Sequence, residues 1–286
     1  MNGKVAFLTA VMLTAAWCSE SFGRPPRPPH PHRRGGEVYY FPGRVTLRLE
    51  PDRRATDDAD LVRDVFRGSA GDLNYCMFAK NMDRPGAPLL VVILHGKSGC
   101  GEDNASQLAN PAIGPFLEYA AAKRIKAVFL VPQCPRKSAW VDDEMMKLVV
   151  ELASAKQRQY SVPDENMLLT GFSMGGGACC ELAADYPGFF AKFLIVGAAG
   201  RAEAAKKARG EFYLAVGAND RVVPPANVEA TAELLGRAGC RVRLEKLSGR
   251  GHLDGGIAAY SGEARVWLLR PGKKFKRAPR SGSCGN

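Results

Sequence analysis

The first chemical signal is the pentapeptide Gly171-Phe172-Ser173-Met174-Gly175, a G-x-S-x-G. The strand-like run Met167–Thr170 leads straight into it, and a Gly- and Ala-rich helical stretch, 175–186, leaves it. So sharp a strand-to-helix turn strains its central residue, and small neighbours avoid clashes while the hydroxyl stays exposed. The alternative, a helix merely opened by Ser173 as its N-cap, stays open at this point. An isolated serine is a poor nucleophile: it needs a base, and the base needs an orienting acid. On this kind of nucleophile turn the chain order is serine, acid, histidine. Of the four histidines, His30 and His32 lie in a proline-rich segment and His95 precedes Ser173. His252 alone fits, in a turn, Gly249-Arg250-Gly251-His252, after the last strand. For the acid, Asp220 hangs from a strand end in Gly217-Ala218-Asn219-Asp220, with Asn219 shaping the turn. Asp254 competes, but two residues from His252 it is too local to reach Nδ1 comfortably.

Acyl transfer through a tetrahedral intermediate also requires two donors for the oxyanion. Met174 N–H, just after the serine, is one. The other should come from His95-Gly96-Lys97-Ser98-Gly99, after the first core strand. Gly96 allows close approach there. Lys97 is the first choice of donor and Ser98 the next, while His95 is read as structural support. Ser98 is also placed as a substrate contact. Trp140, after strand Ala127–Val131, is placed as a flat wall beside Ser173 for a sugar or aromatic group, with a core position as the competing reading.

These residues need a scaffold that brings strand ends together. Leu89–Leu94 is continuously apolar between Pro88 and Gly96, as a parallel strand covered on both faces should be. A helix over Phe116–Lys123 and strand Ala127–Val131 follow. Positions 142–159 carry Met145, Leu148, Val149 and Leu152 on one helical face. The alternation continues through strands Met167–Thr170, Phe193–Val196, Phe212–Val216 and Arg241–Leu247, with helices at Gly175–Tyr186 and Pro225–Ala238 and a closing helix near Ala258–Leu269. Strand-like stretches at Val45–Leu49 and Tyr75–Ala79 suggest an antiparallel start. The pattern predicts an α/β fold, a mainly parallel sheet with helices on both faces and ligands beyond the strands' carboxyl ends. Only Gly197 to Glu211 separates two of the strands, enough for a short exposed helix but not for a large lid domain.

Several motifs together resemble a family. Leu94-His95-Gly96, Gly101-Glu102-Asp103-Asn104 with Gln107-Leu108, Pro132-Gln133-Cys134-Pro135 with Trp140, and Thr170 to Gly176 with Tyr186-Pro187 are similar to secreted α/β-hydrolase esterases of the predicted-peptidase or polyhydroxybutyrate-depolymerase-like kind. The likeness covers roughly residues 70–260. It implies the α/β-hydrolase fold, carboxylesterase activity, export, and no metal or organic cofactor. Lys97-Ser98-Gly99-Cys100 departs from the family's usual Ala-Gly-Glu-Arg at that loop.

The termini read differently from the body. Lys4, the apolar run Val5 to Trp17 and Ser21-Phe22-Gly23 form a signal peptide, 1–23, so the chain is expected to be secreted or periplasmic. Residues 24–36 are a proline-rich basic linker, 37–269 the catalytic domain and 270–286 a basic tail. The formal charge of +11 comes entirely from the ends, because residues 55–269 carry 25 basic and 25 acidic side chains. That pattern argues against a nucleic-acid-binding body. The ends would suit an acidic envelope or polysaccharide, or serve only as solvated tails. Without Cys18, seven cysteines remain, none at zinc spacing. Cys100 and Cys134, each just beyond a core strand, are near enough in this topology for a disulfide to be considered. Cys179 and Cys180 should be buried and unpaired. The expected function is a serine carboxylesterase for short acyl or aryl esters; the alternatives are a peptidase of the same fold and a non-catalytic binding module.

Overall fold

The structure, a computed structural model, describes residues 53–271. The signal peptide, the linker, the stretch Val45–Leu49, Cys284 and nearly all of the basic tail lie outside the described residues. Eight strands form one sheet: β1 (Leu61–Gly68), β2 (Gly71–Lys80), β3 (Leu89–Leu94), β4 (Ala127–Pro132), β5 (Met167–Phe172), β6 (Lys192–Val196), β7 (Glu211–Gly217) and β8 (Arg241–Leu247). Their spatial order is β1-β2-β4-β3-β5-β6-β7-β8. β2 runs antiparallel to both β1 and β4, and every other pairing is parallel.

Every residue of β3, β4, β5 and β6 is buried, which explains their unbroken apolar composition. Side chains alternate between the faces. On β3, Leu90, Val92 and Leu94 enter one core while Leu89, Val91 and Ile93 enter the other. The first core is closed by α3 (Asp143–Gln159), α4 (Met174–Asp185), α5 (Ala202–Lys207) and α6 (Pro225–Arg237). The second is closed by α2 (Ile113–Ala122), α7 (His252–Ser261) and α8 (Glu263–Leu268), after the short α1 (Arg53–Thr56). Burying each large aliphatic or aromatic side chain contributes roughly 1.5–3 kcal/mol. No helix among the described residues is long and apolar enough to cross a membrane.

Three differences from the sequence expectation have physical causes. β1 pairs with β2 through the two-residue turn Ser69-Ala70, yet leaves Val62 and Val65 exposed, so no buried face marks it in sequence. The single closing helix is two helices, divided at Gly262, whose backbone is extended (φ −99°, ψ −150°). His252 is the first residue of α7, with Gly251 as N-cap, and not part of the preceding turn.

Candidate active site

Ser173 sits between the last residue of β5 and the first of α4, with φ 54° and ψ −116°. That conformation is costly for a residue with a Cβ, of order 1–3 kcal/mol, and must be imposed by its surroundings. Two glycines allow it. A Cβ on Gly171 would collide with the backbone of Gly175, and one on Gly175 would collide with the Leu94 carbonyl. Ser173 N–H is anchored to the Val196 carbonyl at 2.9 Å, and Gly177 N–H donates to Ser173 C=O at 3.1 Å. The G-x-S-x-G spacing is thus a steric requirement of packing α4's first turn against β3.

The structure brings Ser173, His252 and Asp220 into one chain of hydrogen bonds. His252 Nε2 lies 3.0 Å from Ser173 Oγ, and His252 Nδ1 lies 2.7 Å from Asp220 Oδ2. Asp220 is buried, and its other oxygen accepts N–H bonds from Val222 and Val223, both at 2.8 Å. With Oδ1 so occupied, Asp220 presents Oδ2 to the ring as an acceptor. It therefore selects the tautomer with the proton on Nδ1, leaving the Nε2 lone pair for the serine O–H. The Phe172 ring lies 4.9 Å from the imidazole at an angle of 34°. Gly197 also leaves room for the ring, since a Cβ there would lie 3.2 Å from His252 Cε1 and 3.3 Å from Phe172 Cε2. Asp254 is used elsewhere: its Oδ1 accepts Gly251 N–H at 2.7 Å and caps α7.

The loop after β3 passes against the serine. A Cβ on Gly96 would lie 3.4 Å from Ser173 Cβ. The next residue, Lys97, opens a 3-10 turn, Lys97–Gly99, with Lys97 and Ser98 both exposed. Lys97 Nζ donates to the Arg136 carbonyl at 3.4 Å. Across from this loop, Met174 begins α4, where the first N–H groups have no acceptor within the helix.

Trp140 corrects the sequence expectation. It is only 1% exposed, and its Nε1–H donates to the His95 carbonyl at 2.9 Å. The indole N–H found a buried backbone acceptor, which draws the ring into the core and leaves no face for a ligand. What it supports is a network that the sequence reading saw only in part. His95 is buried, its Nδ1–H donates to Gly96 C=O at 2.7 Å and its Nε2 accepts Cys134 N–H at 3.0 Å. Burial drives the His95 pKa down to about 4, so the ring is neutral. Gln133 Nε2 donates to Asp103 Oδ1 at 2.6 Å, and Gln133 Oε1 accepts Asn104 N–H at 2.8 Å. Burial raises the Asp103 pKa, but bonds from Ser106, Gln133 and Ala105 outweigh it and hold the carboxyl well below its usual range. The Gly101-Glu102-Asp103-Asn104 and Pro132-Gln133-Cys134-Pro135 motifs were the available signal; their mutual hydrogen bonding was not.

Among the described residues no group of His, Cys, Asp and Glu is arranged to hold a metal ion. No protein-family profile matches the chain, and no curated protein matches it in sequence. Solved structures do match in shape. A thermostable esterase superposes with a TM-score of 0.66 at 22% identity, covering 75% of this chain and 64% of that one. The acylaminoacyl peptidase of Pyrococcus horikoshii gives 0.58 at 11% identity, covering 76% of this chain and 42% of that one. Esterase PE8 gives 0.52 at 16% identity, covering 73% of this chain and all of that one. The chain thus spans less than two thirds of the first two proteins. Sheet order and likeness together identify the α/β-hydrolase fold.

Proposed function

We propose that this α/β-hydrolase is a serine carboxylesterase acting through Ser173, His252 and Asp220. The observation that carries the reading is the continuous path from Asp220 Oδ2 through His252 to Ser173 Oγ, with spacings of 2.7 and 3.0 Å. In the first step Ser173 Oγ attacks the ester carbonyl as His252 Nε2 takes its proton. The N–H groups of Met174 and Lys97 would meet the developing oxyanion, where fixed dipoles act with little reorganisation. Ser98, exposed beside Lys97, would touch the substrate. His252 then returns the proton to the departing alcohol, and water attacks the acyl-enzyme with the same imidazole as base.

Short acyl or aryl esters, including carbohydrate-linked ones, suit the site best. The β6–β7 connection holds only the six-residue α5, whose Ala204 and Ala205 pack inward. Among the described residues that connection supplies no apolar cap, so a long acyl chain would gain little from burial there, about 0.8 kcal/mol being forgone per CH₂ left in water. Residues 1–23 would direct the chain to export as a signal peptide, and the basic ends would favour an acidic envelope or polysaccharide. A peptidase of the same fold is the second reading, because the same relay serves amides and an acylaminoacyl peptidase is among the similar structures.

The test compares kcat/KM for p-nitrophenyl acetate, butyrate and palmitate with that for acyl p-nitroanilides, alongside labelling by a fluorophosphonate. Ester hydrolysis that falls from butyrate to palmitate, with labelling lost in Ser173→Ala, supports the reading. Anilide turnover exceeding ester turnover would move it to the peptidase. Absence of labelling in a folded wild type would sink both.

A further inference from the structure

Cys100 and Cys134 are buried thiols that the ester chemistry does not use. Cys100 closes the 3-10 turn carrying Lys97, and Cys134 lies two residues beyond β4. Their loops are joined main chain to main chain, Gly101 N–H donating to Cys134 C=O at 3.1 Å. Cys134 Sγ donates to the Pro135 carbonyl at 3.6 Å, and the two thiol side chains interact with each other. That contact is the largest influence lowering the Cys100 pKa, to about 7; Lys97 and Arg136 add to it and burial opposes it. The same contact, then burial, pushes the Cys134 thiol up. Cys100 is the thiol nearer the surface, and Cys134 beside it is placed to resolve a mixed disulfide formed there. The remaining described cysteines differ. Burial pushes the thiols of Cys76, Cys179, Cys180 and Cys240 up.

We propose that Cys100 and Cys134 form an intramolecular disulfide that ties the loop after β3 to the loop after β4. The pairing does not depend on the esterase reading. A small disulfide such as glutathione disulfide serves as oxidant. Cys100, as thiolate, attacks one of its sulfurs; the oxidant's S–S bond breaks and one glutathione leaves, protonated by the proton Cys100 released. Cys134 then loses its proton and attacks Cys100 Sγ, expelling the second glutathione as a thiol. Two protein thiols are oxidised and one disulfide is reduced to two thiols. Attack starts at Cys100 because it is 4% exposed whereas Cys134 is fully buried. The bond would close a loop of about 35 residues, which restricts the unfolded chain enough to raise Tm by roughly 10 °C.

Full-length protein would be treated with glutathione disulfide both when folded and during refolding from urea. It would then be quenched in acid, alkylated, digested and mapped by mass spectrometry without reduction. The expected result is a peptide pair linked through Cys100 and Cys134, and a rise in Tm of roughly 10 °C that dithiothreitol reverses and Cys134→Ser lacks. Alkylation of both thiols after both treatments, or linkage of Cys100 to another cysteine, overturns the proposal. Should Cys134→Ser not fold, the wild-type peptide map decides alone.

Discussion

Replacing Asp220 by Asn separates orientation from mere occupancy. The volume is unchanged, and the hydrogen-bond chemistry fixes which way the amide points. Two backbone N–H groups, of Val222 and Val223, meet the Oδ1 position at 2.8 Å and demand an acceptor. The amide oxygen must go there, so the NH₂ group takes the place of Oδ2, 2.7 Å from His252 Nδ1. A donor at that position turns Nδ1 into the acceptor and places the ring proton on Nε2, facing Ser173. That tautomer cannot accept the serine proton. The equivalent change in a serine protease lowers kcat about 10⁴-fold, equal to about 5.4 kcal/mol of barrier. We expect a loss of that order in kcat for p-nitrophenyl acetate, with little change in KM. Asp254→Asn is the control, because Asp254 holds Gly251 N–H at the start of α7 and faces Arg250 at 4.0 Å, away from the His252–Ser173 pair. It should cost about 1 kcal/mol of stability as a weakened cap and less than tenfold in kcat. Circular dichroism melts would verify folding of both variants. Equal losses in the two, or an Asp220→Asn enzyme keeping more than a tenth of wild-type kcat, would refute the assignment.

Two other perturbations probe the scaffold. Gly175→Ala puts a Cβ into the Leu94 carbonyl on a strand that cannot recede, so it should lose about 2 kcal/mol or more, and an unchanged Tm would contradict the packing described. His95 is held near 4 by burial against about 6.5 in an unfolded chain, so the unfolded state binds the extra proton between those values. Its contribution is complete above pH 6.5 and disappears as pH falls toward 4, about 3 kcal/mol in all. Urea midpoints should therefore drop over that window in wild type and drop less in His95→Gln; parallel curves would count against a neutral buried His95.

The parallel strands were legible in sequence because both their faces are buried. β3 and β4 appear as runs of Leu, Val, Ile and Phe whose ends match the observed ones closely. β1 was not legible, since its alternation carries Arg63, Asp64 and Arg67 among exposed valines and only pairing with β2 defines it. Within the site, the order and spacing of Ser173, Asp220 and His252 could be read without coordinates. The preference for Asp220 over Asp254 was legible too, from how close Asp254 lies to His252 in sequence. What the sequence did not show was its other use, since Asp220, 32 residues away, is bonded to His252 and Asp254 is bonded to Gly251. Trp140 shows the converse. A tryptophan in a loop beyond a strand end has no sequence mark for the direction of its ring, which here was decided by the carbonyl of His95, 45 residues away.

The two halves of the site are held by different physics. Ser173, Asp220 and His252 take their positions from β5, β7 and α7, whose backbones are fixed by sheet pairing and glycine contacts. The loop bearing Gly96 and Lys97 has no strand of its own beyond Leu94, and its shape depends on the buried ring of His95. Gly99 leaves room for that ring, since a Cβ there would lie 2.6 Å from His95 Cγ. The ring donates from Nδ1 to Gly96 and accepts at Nε2 from Cys134, and only a neutral imidazole can do both. Protonation would set an N–H on Nε2 against the Cys134 N–H, donor against donor. The loop therefore keeps its place only while His95 stays uncharged. Burial by Trp140 and the loop itself keeps it so, and the backbone of Gly96 and Lys97, which we propose as one side of the oxyanion site, rests on that buried ring.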